Sequence, residues 1–412
     1  MATQERTQVQ PLRIAIIGAG LVGTATYIAL SRLPNVQITV YERAPRPHET
    51  GAWIAMTVSG LRVLGRMLPP SSYQRVRHIM FQGTVGIEHH HWQTGQVMAV
   101  GASPHLDPQF REGRTYRIPL HEILVSHVPA EKLHYNKEVK AVAVQKDVSG
   151  RSVARLSFSD GSPDVEADLV VAADGIHSYL PSSIPMYRGA VAYRHIFPES
   201  LVQHITDLPA ESGSWQNSFG EIAYMSRVGL GKFGFVAIVR EDEKTAARLR
   251  WGHSLGQAGI DRLKQHFADW DPLVRKVVDA LPGIDGYRLE TASWMTDMTR
   301  DATAGAYGGG ATFGYCDAWA LYRSLTSPAS RSNIARALQM YNRIRRPFLA
   351  RVEMQLDLDK LNSAYVSAVP ATTLEWSRRW VERYSPHAWM LEYDVEAECQ
   401  RVETEVVNKA HL

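Results

Sequence analysis

Residues 13–42 carry the pattern that most narrows what this chain can fold into. Arg13-Ile14-Ala15-Ile16-Ile17 reads as an apolar strand, and Gly18-Ala19-Gly20-Leu21-Val22-Gly23 follows as a G-x-G-x-x-G turn. A helical stretch then leads to a second strand, Val36-Gln37-Ile38-Thr39-Val40-Tyr41, closed by Glu42. Gly18 permits the tight turn, Gly20 lets the backbone approach a pyrophosphate, and Gly23 lets the helix pack close to the sheet. The helix start offers unpaired N–H groups and a positive dipole end to that pyrophosphate. Glu42 stands near the spacing of a ribose-binding acid. A βαβ core that binds nothing keeps the same geometry. The strand before, the helix after and the acid together favour dinucleotide binding.

The rest of the composition excludes several classes. At 412 residues the chain is long enough for a large core and two lobes. A formal charge of +3 is too small, at this size, to indicate a nucleic-acid partner. Only Cys316 and Cys399 occur, so there is no disulfide framework and no metal pattern, as expected in a reducing, cytoplasmic setting. Residues 1–12 lack the apolar core of a signal peptide, and glycines break the apolar run from Ile14 to Leu30, so no membrane partner is expected. The terminal Ala410-His411-Leu412 loosely resembles the peroxisomal S-K-L address, but a plain chain end is the favoured reading.

Periodicity sketches the remaining elements. Val58 to Leu68 reads as a helix with Leu61, Leu64 and Leu68 on one face. His89-His90-His91 reads as sheet, where neighbours point to opposite faces, and no metal is expected there. Leu133 to Val144 and Val153 to Phe158 read as strands. Asp168-Leu169-Val170-Val171-Ala172-Ala173-Asp174-Gly175 reads as a strand buried on both faces. Residues 186–290 are β-rich, with a helical segment broken at Trp270-Asp271-Pro272. Long helices are expected from Asp317 and from about Asn333 through Arg346, and Trp376 and Trp380 should share a helix face.

Several of these segments resemble the class A flavoprotein monooxygenases, most closely the fungal salicylate-hydroxylase-like enzymes. The resemblance rests on Gly18 to Gly23 with Glu42-Arg43, on Gly51-Ala52-Trp53-Ile54-Ala55, on Arg117 with Leu120 and Leu124, and on Asp168 to Ser178. Trp389-Met390-Leu391-Glu392-Tyr393-Asp394 adds to it. It implies an α/β fold in which a three-layer, Rossmann-like FAD-binding lobe carries a β-rich substrate lobe and C-terminal helices. Residues 1–185 would form the first part of the FAD lobe and 186–290 the substrate lobe. Residues 291–350 would return to the FAD lobe and 351–412 would be a helical region. The resemblance also implies FAD, NADPH or NADH, molecular oxygen and a small phenolic or polyketide-type substrate of secondary metabolism.

Carried over by position, Gly18, Gly20 and Gly23 would cradle the FAD pyrophosphate and Glu42 would hold the adenosine ribose. Ala55 would sit beside the flavin and Arg117 would reach it from a helix start. Asp174 and Gly175 would lie where the nicotinamide cofactor and the pyrophosphate meet. Arg194, in Val191-Ala192-Tyr193-Arg194, falls at a position the family uses for phenolate contact, and Tyr224 is a second catalytic candidate. The ordinary alternatives are a surface ion pair for Arg117, a helix cap for Asp174 and plain sheet positions for Arg194 and Tyr224.

The resemblance breaks at a third motif. Family members carry an apolar strand followed by Gly-Asp-Ala-Ala-His. Here Trp294 to Tyr307 contains no Gly-Asp pair, no histidine and no proline. Asp301-Ala302 is the nearest substitute, with Arg300 where glycine belongs. The pattern resumes at Gly308-Gly309-Gly310-Ala311 and Asp317-Ala318, so Gly310 and Ala311 would start the helix that faces the flavin. Three readings stay open: a divergent active monooxygenase, a flavin-fold protein with weakened FAD binding and redox-neutral or regulatory work, and a damaged or mis-spliced chain.

Overall fold

In a computed structural model of the chain, residues 10–46, 53–83, 86–101, 107–175, 186–217, 219–249, 254–291, 310–330, 333–370, 373–383 and 388–410 are described. From the N-terminus, β1 (Leu12–Ile17), α1 (Leu21–Leu30) and β2 (Val36–Tyr41) form the opening unit. Next come β3 (Trp53–Met56), α2 (Val58–Met67), α3 (Pro70–Ile79), β4 (Met80–Gln82), β5 (Ile87–His91), β6 (Val97–Gly101), β7 (Gly113–Tyr116) and α4 (Arg117–Val125). They are followed by β8 (Leu133–His134), β9 (Val139–Lys146), β10 (Ser152–Phe158), β11 (Val165–Ala167) and β12 (Leu169–Ala172). The β-rich stretch holds β13 (Met186–Pro198), β14 (Ser212–Gln216), β15 (Ile222–Gly229), β16 (Lys232–Arg240), α5 (Glu243–Ala246), α6 (Gly256–His266), α7 (Pro272–Asp279) and β17 (Asp285–Thr291). The chain closes with α8 (Gly310–Thr326), α9 (Ile334–Ser367), α10 (Leu374–Arg383), α11 (Ala388–Leu391) and α12 (Val395–Ala410).

A parallel sheet in the order β12-β1-β2-β8 is the middle of three layers. Strand alternation divides its side chains between two cores. Ile14, Ile16, Ile38 and Val40 pack against α1, α2, α4 and α8. Ala15, Ile17 and Tyr41 pack the other way, against Val139, Leu156 and Phe158 of the β11-β10-β9 sheet. Arg13 fastens the β12 edge. Its backbone N–H and its Nη2 each donate to Asp168 at 2.9 Å.

The second lobe is a seven-stranded sheet, β17-β13-β16-β15-β14-β5-β6. It draws β5 and β6 from the first part of the chain. One face is sealed by Phe235, Phe267, Trp270, Val274, Val277 and Val278. Asp271 caps α7 by accepting from Leu273 N–H and also accepts from buried Trp215 Nε1 at 2.7 Å. A small fourth sheet, β3-β7-β4, stands beside β15.

Four expectations need correction. β12 is not buried on both faces. Among the described residues it is the sheet's edge, and Val170, Val171 and Ala172 are half-buried. The strand expected from Leu133 to Val144 is interrupted at Asn136, whose φ of 55° turns the chain between β8 and β9. The helix that periodicity alone gives from Asp317 begins earlier, at Gly310, where the resemblance put its start. The helix expected to stop at Arg346 continues through Pro347 to Ser367. Proline disfavours a helix interior, but Phe348 is buried against Phe313, Trp389 and Tyr393, and that packing holds the helix across the break. Trp376 and Trp380 do share one helix, meeting His91 and His89 of β5.

A buried ion pair joins α8 to α9. Arg345 Nε donates to Asp317 Oδ1 at 2.6 Å, and Tyr341 donates to the same oxygen at 3.0 Å. Burial opposes the Arg345 charge, but the Asp317 carboxylate holds its pKa well above the ordinary arginine value. Removing one partner of such a pair leaves an uncompensated charge, at a cost of about 3–5 kcal/mol. Asp317→Ala should therefore lower the urea midpoint sharply. Asp317→Ala combined with Arg345→Met should recover most of that loss, as urea denaturation of both variants would show.

Candidate functional site

The G-x-G-x-x-G turn sits at the carboxyl ends of the parallel strands, where open α/β sheets bind ligands. Gly18 has φ +96°, and a Cβ there would stand 2.5 Å from Ala173 O. At Gly23 a Cβ would stand 1.9 Å from Gly18 O. Gly20 differs, because a Cβ there would meet nothing within 4 Å. Two glycines thus let α1 close onto the sheet, while the third opens the turn outward. Gly18 N–H donates to Tyr41 O at 2.8 Å. The Glu42 carboxylate lies across the turn and accepts from Ala19 N–H and Ala44 N–H, each at 2.8 Å. His121 of α4, buried, makes a 2.6 Å hydrogen bond to Ala19 O from below. That histidine is a positioning residue which the sequence reading missed.

Asp174 and Gly175 follow β12 at the same edge, and Gly175 has φ +78°. Arg117 is the first residue of α4, directly after β7. Ala55 lies on β3 in register with Arg114. Gly310 and Ala311 open α8, and Gly314 brings that helix against α1, since a Cβ there would stand 2.4 Å from Val22. Asp301 and the altered third motif lie outside the described residues, as do Gly51, Ala52 and His177.

Arg194 and Tyr224 share one face of the seven-stranded sheet. Arg194 pairs with Val236 of β16 on one side, and Tyr224 pairs with the same Val236 from the other. Directly opposed residues point the same way, so the face reads Asp285, Arg194, Val236, Tyr224, Ser214 and His89 across the strands. Arg194, Val236 and Tyr224 are half-buried, whereas the opposite face is closed by the aromatic core.

Tyr224 does not stand open on this face. Its hydroxyl accepts from Arg114 Nε at 3.0 Å, and its ring stacks on Trp53 at 5.1 Å. Trp53 itself fits over Gly234, where a Cβ would stand 2.6 Å from the indole nitrogen. The β3-β7-β4 sheet is thereby fastened to β15. Burial opposes the charge of Arg114, but the fields of Tyr224, Glu112 and Glu211 outweigh it and raise its pKa. Burial pushes the Glu112 carboxyl up, with Arg114 pulling the other way. Neither Arg114 nor Trp53 was singled out as a site residue from the sequence.

A separate cleft of about 940 Å³ is lined by Arg62, Arg66, Tyr73, Arg77, His78 and Phe110, and contains none of the expected site residues. Its arginines are engaged by the chain itself. Arg62 donates to Glu392 O, Arg77 to Arg111 O and Arg66 to Asp394.

No family model matches the chain. The chain is 30% identical over 292 residues to the 3-amino-4-hydroxybenzoate 2-monooxygenase of Streptomyces cremeus, covering 68% of this chain and 67% of that protein. The chain belongs to the FAD-dependent aromatic monooxygenases. The 6-hydroxynicotinate 3-monooxygenase of Bordetella bronchiseptica is 27% identical over 300 residues, 67% of this chain and 70% of its own. A salicylate hydroxylase substrate complex shares the fold with a TM-score of 0.72 at 19% identity, over 96% of this chain and 98% of that one.

The observed turn fits the family's cofactor at its pyrophosphate end. Gly20 leaves backbone exposed to open space, and each Glu42 oxygen accepts one backbone N–H while keeping a lone pair for a ribose hydroxyl. The roles of Gly20 and Gly23 can be separated by substitution. Gly20→Ala should leave the melting temperature within a few degrees of the parent and weaken FAD binding. Gly23→Ala should unfold the protein at lower temperature, because its methyl group would collide with backbone. Thermal melts and flavin titration of the two variants check this.

Proposed function

We propose that the chain hydroxylates a small phenolic compound of secondary metabolism, using FAD, NAD(P)H and molecular oxygen. The observation that carries this reading is the open glycine cradle with Glu42 across it. The half-buried polar row on the second lobe is the natural floor of the substrate site. The names of the two relatives, both monooxygenases, favour it over a redox-neutral role.

In this reading Gly18, Gly20 and Gly23 seat the pyrophosphate and Glu42 holds the ribose. Ala55, Arg117, Asp174, Gly175, Gly310 and Ala311 line the rest of the cofactor's path, with Asp301 in place of the missing Gly-Asp pair. The bound flavin supplies the oxygen-transfer chemistry. The chain's own work is to bind and orient the ring, favour the ionised phenol and keep water out. Arg194 is cationic at any working pH, and a cation beside a phenol lowers its pKa. Tyr224, held by Arg114, fixes the floor on which the ring lies.

Purified protein should be yellow and release about one flavin per chain on denaturation, and phenols should stimulate its NADPH consumption. A colourless protein that takes up no FAD overturns the reading. Arg194→Ala should keep its flavin and lose hydroxylation, with residual turnover rising as pH increases and the free phenol ionises. Unchanged turnover, from pH–rate profiles of parent and variant on one phenol, would make Arg194 structural.

A further inference from the structure

We propose that His121 sets the affinity for FAD by locking one peptide unit of the glycine turn, so that Gly20 N–H faces the cofactor. This rests on the FAD site of the reading above and needs nothing of the hydroxylation step.

Both polar groups of Ala19 are tied down. Its N–H donates to Glu42 Oε2 at 2.8 Å, and its carbonyl oxygen accepts from His121 Nε2 at 2.6 Å. A carbonyl oxygen only accepts, so Nε2 carries the proton. Ala19 is 3% exposed and His121 4%. The imidazole is held from α4, whose Leu120, Ile123 and Leu124 are buried in the same core as α1. The Ala19 carbonyl therefore points into the protein.

Peptide geometry then fixes where the next donor goes. The C=O of Ala19 and the N–H of Gly20 belong to one planar trans unit and point in opposite directions. With the carbonyl drawn onto His121, Gly20 N–H is aimed away from α4, and Gly20 is half-buried where Ala19 is buried. That N–H has no partner among the described residues. Gly20 is also the N-cap of α1, with no side chain to hold the turn in place.

A glycine corner needs such a lock. Glycine accepts φ of either sign, so the unit between Ala19 and Gly20 can rotate at little steric cost. Without the imidazole, the Ala19 carbonyl is a buried acceptor with no partner, and rotation toward water relieves that penalty. The same rotation swings Gly20 N–H inward, away from the anion it serves. His121 is thus a positioning residue that acts through Gly20, and Glu42 holds the preceding unit in the same way.

The test uses the full-length protein, stripped of flavin and titrated with FAD, with dissociation constants from the change in flavin absorbance and thermal melts of the flavin-free form. His121→Gln keeps an amide N–H near the place of Nε2. His121→Asn carries the same amide on a side chain one methylene shorter, and His121→Leu has no donor. The glutamine variant should bind FAD within about threefold of the parent. The asparagine and leucine variants should bind about tenfold more weakly or worse, the loss of one hydrogen bond to a charged group. The glutamine and asparagine variants should melt alike. Gly20→Pro removes the donor itself, because the φ of −69° at Gly20 suits proline and a Cβ there meets nothing within 4 Å. It should weaken FAD more than Gly20→Ala does, and His121→Leu added to it should cost little further. Parent-like affinity in the asparagine and leucine variants overturns the proposal, as does a glutamine variant as weak as leucine. Affinity that follows the melting temperature through all three variants marks His121 as structural and overturns it too. If the asparagine and leucine variants do not fold, Gly20→Pro decides, and affinity no weaker than that of Gly20→Ala overturns it. A parent that takes up no FAD overturns the hydroxylase reading and this proposal with it. A parent that binds FAD but that no phenol stimulates overturns the hydroxylase reading alone.

Discussion

The approach of α1 to the end of β1 is the contact on which the first lobe depends. At Gly23 the helix backbone lies so close to Gly18 O that no side chain fits between them. On its far side Val22 reaches over Gly314 of α8. One short helix is thus clamped between a turn and a long helix. Its position sets where α8 lies, and α8 in turn carries Asp317 to Arg345. The same clamp leaves Gly20 as the outward corner of the turn. Close packing and an open corner of the turn are two results of one glycine arrangement.

The lobes meet through side chains of a different kind. Trp53, Tyr224 and Arg114 form a stack and a hydrogen bond between the small sheet and β15. Gly234 makes room for the indole. A half-buried tyrosine here satisfies its hydroxyl and contributes its ring area to the junction. The polar row beside it is half-buried because strand alternation commits the opposite side chains to the aromatic core. The sheet therefore has one face closed by its core and one left half-buried.

How much of this was legible in the sequence follows from the range of each interaction. The opening βαβ unit could be read because its glycine requirements are local to a few residues. The helix at Val58 could be read because Leu61, Leu64 and Leu68 recur on one face, and all three are buried. The extent of α9 could not, because what carries it through Pro347 is the packing of Phe348 on Trp389 and Tyr393, more than forty residues further along. Arg114 could not either. Its meaning comes from Tyr224, 110 positions away, and a lone arginine before Thr115 carries no pattern. The Gly-Asp departure was visible in the sequence alone, and its consequence lies in residues 292–309, outside the described ones.

Two buried arginines show how burial alone fails to assign a role. Arg345 is sealed, with a carboxylate on Nε and the rings of Phe348 and Tyr393 at 4.8 and 5.4 Å, while its Nη1 and Nη2 are buried without a hydrogen-bond partner among the described residues. Its charge is answered within the protein by an anion and by aromatic faces. Arg114 has the same depth but only a phenol on Nε, and the carboxylates that raise its pKa stand outside ion-pair distance. A fold that needed only a tie between β7 and β15 would be served by a neutral donor, without the cost of burying a charge. Depth in the fold alone therefore does not tell a recognition residue from a structural one.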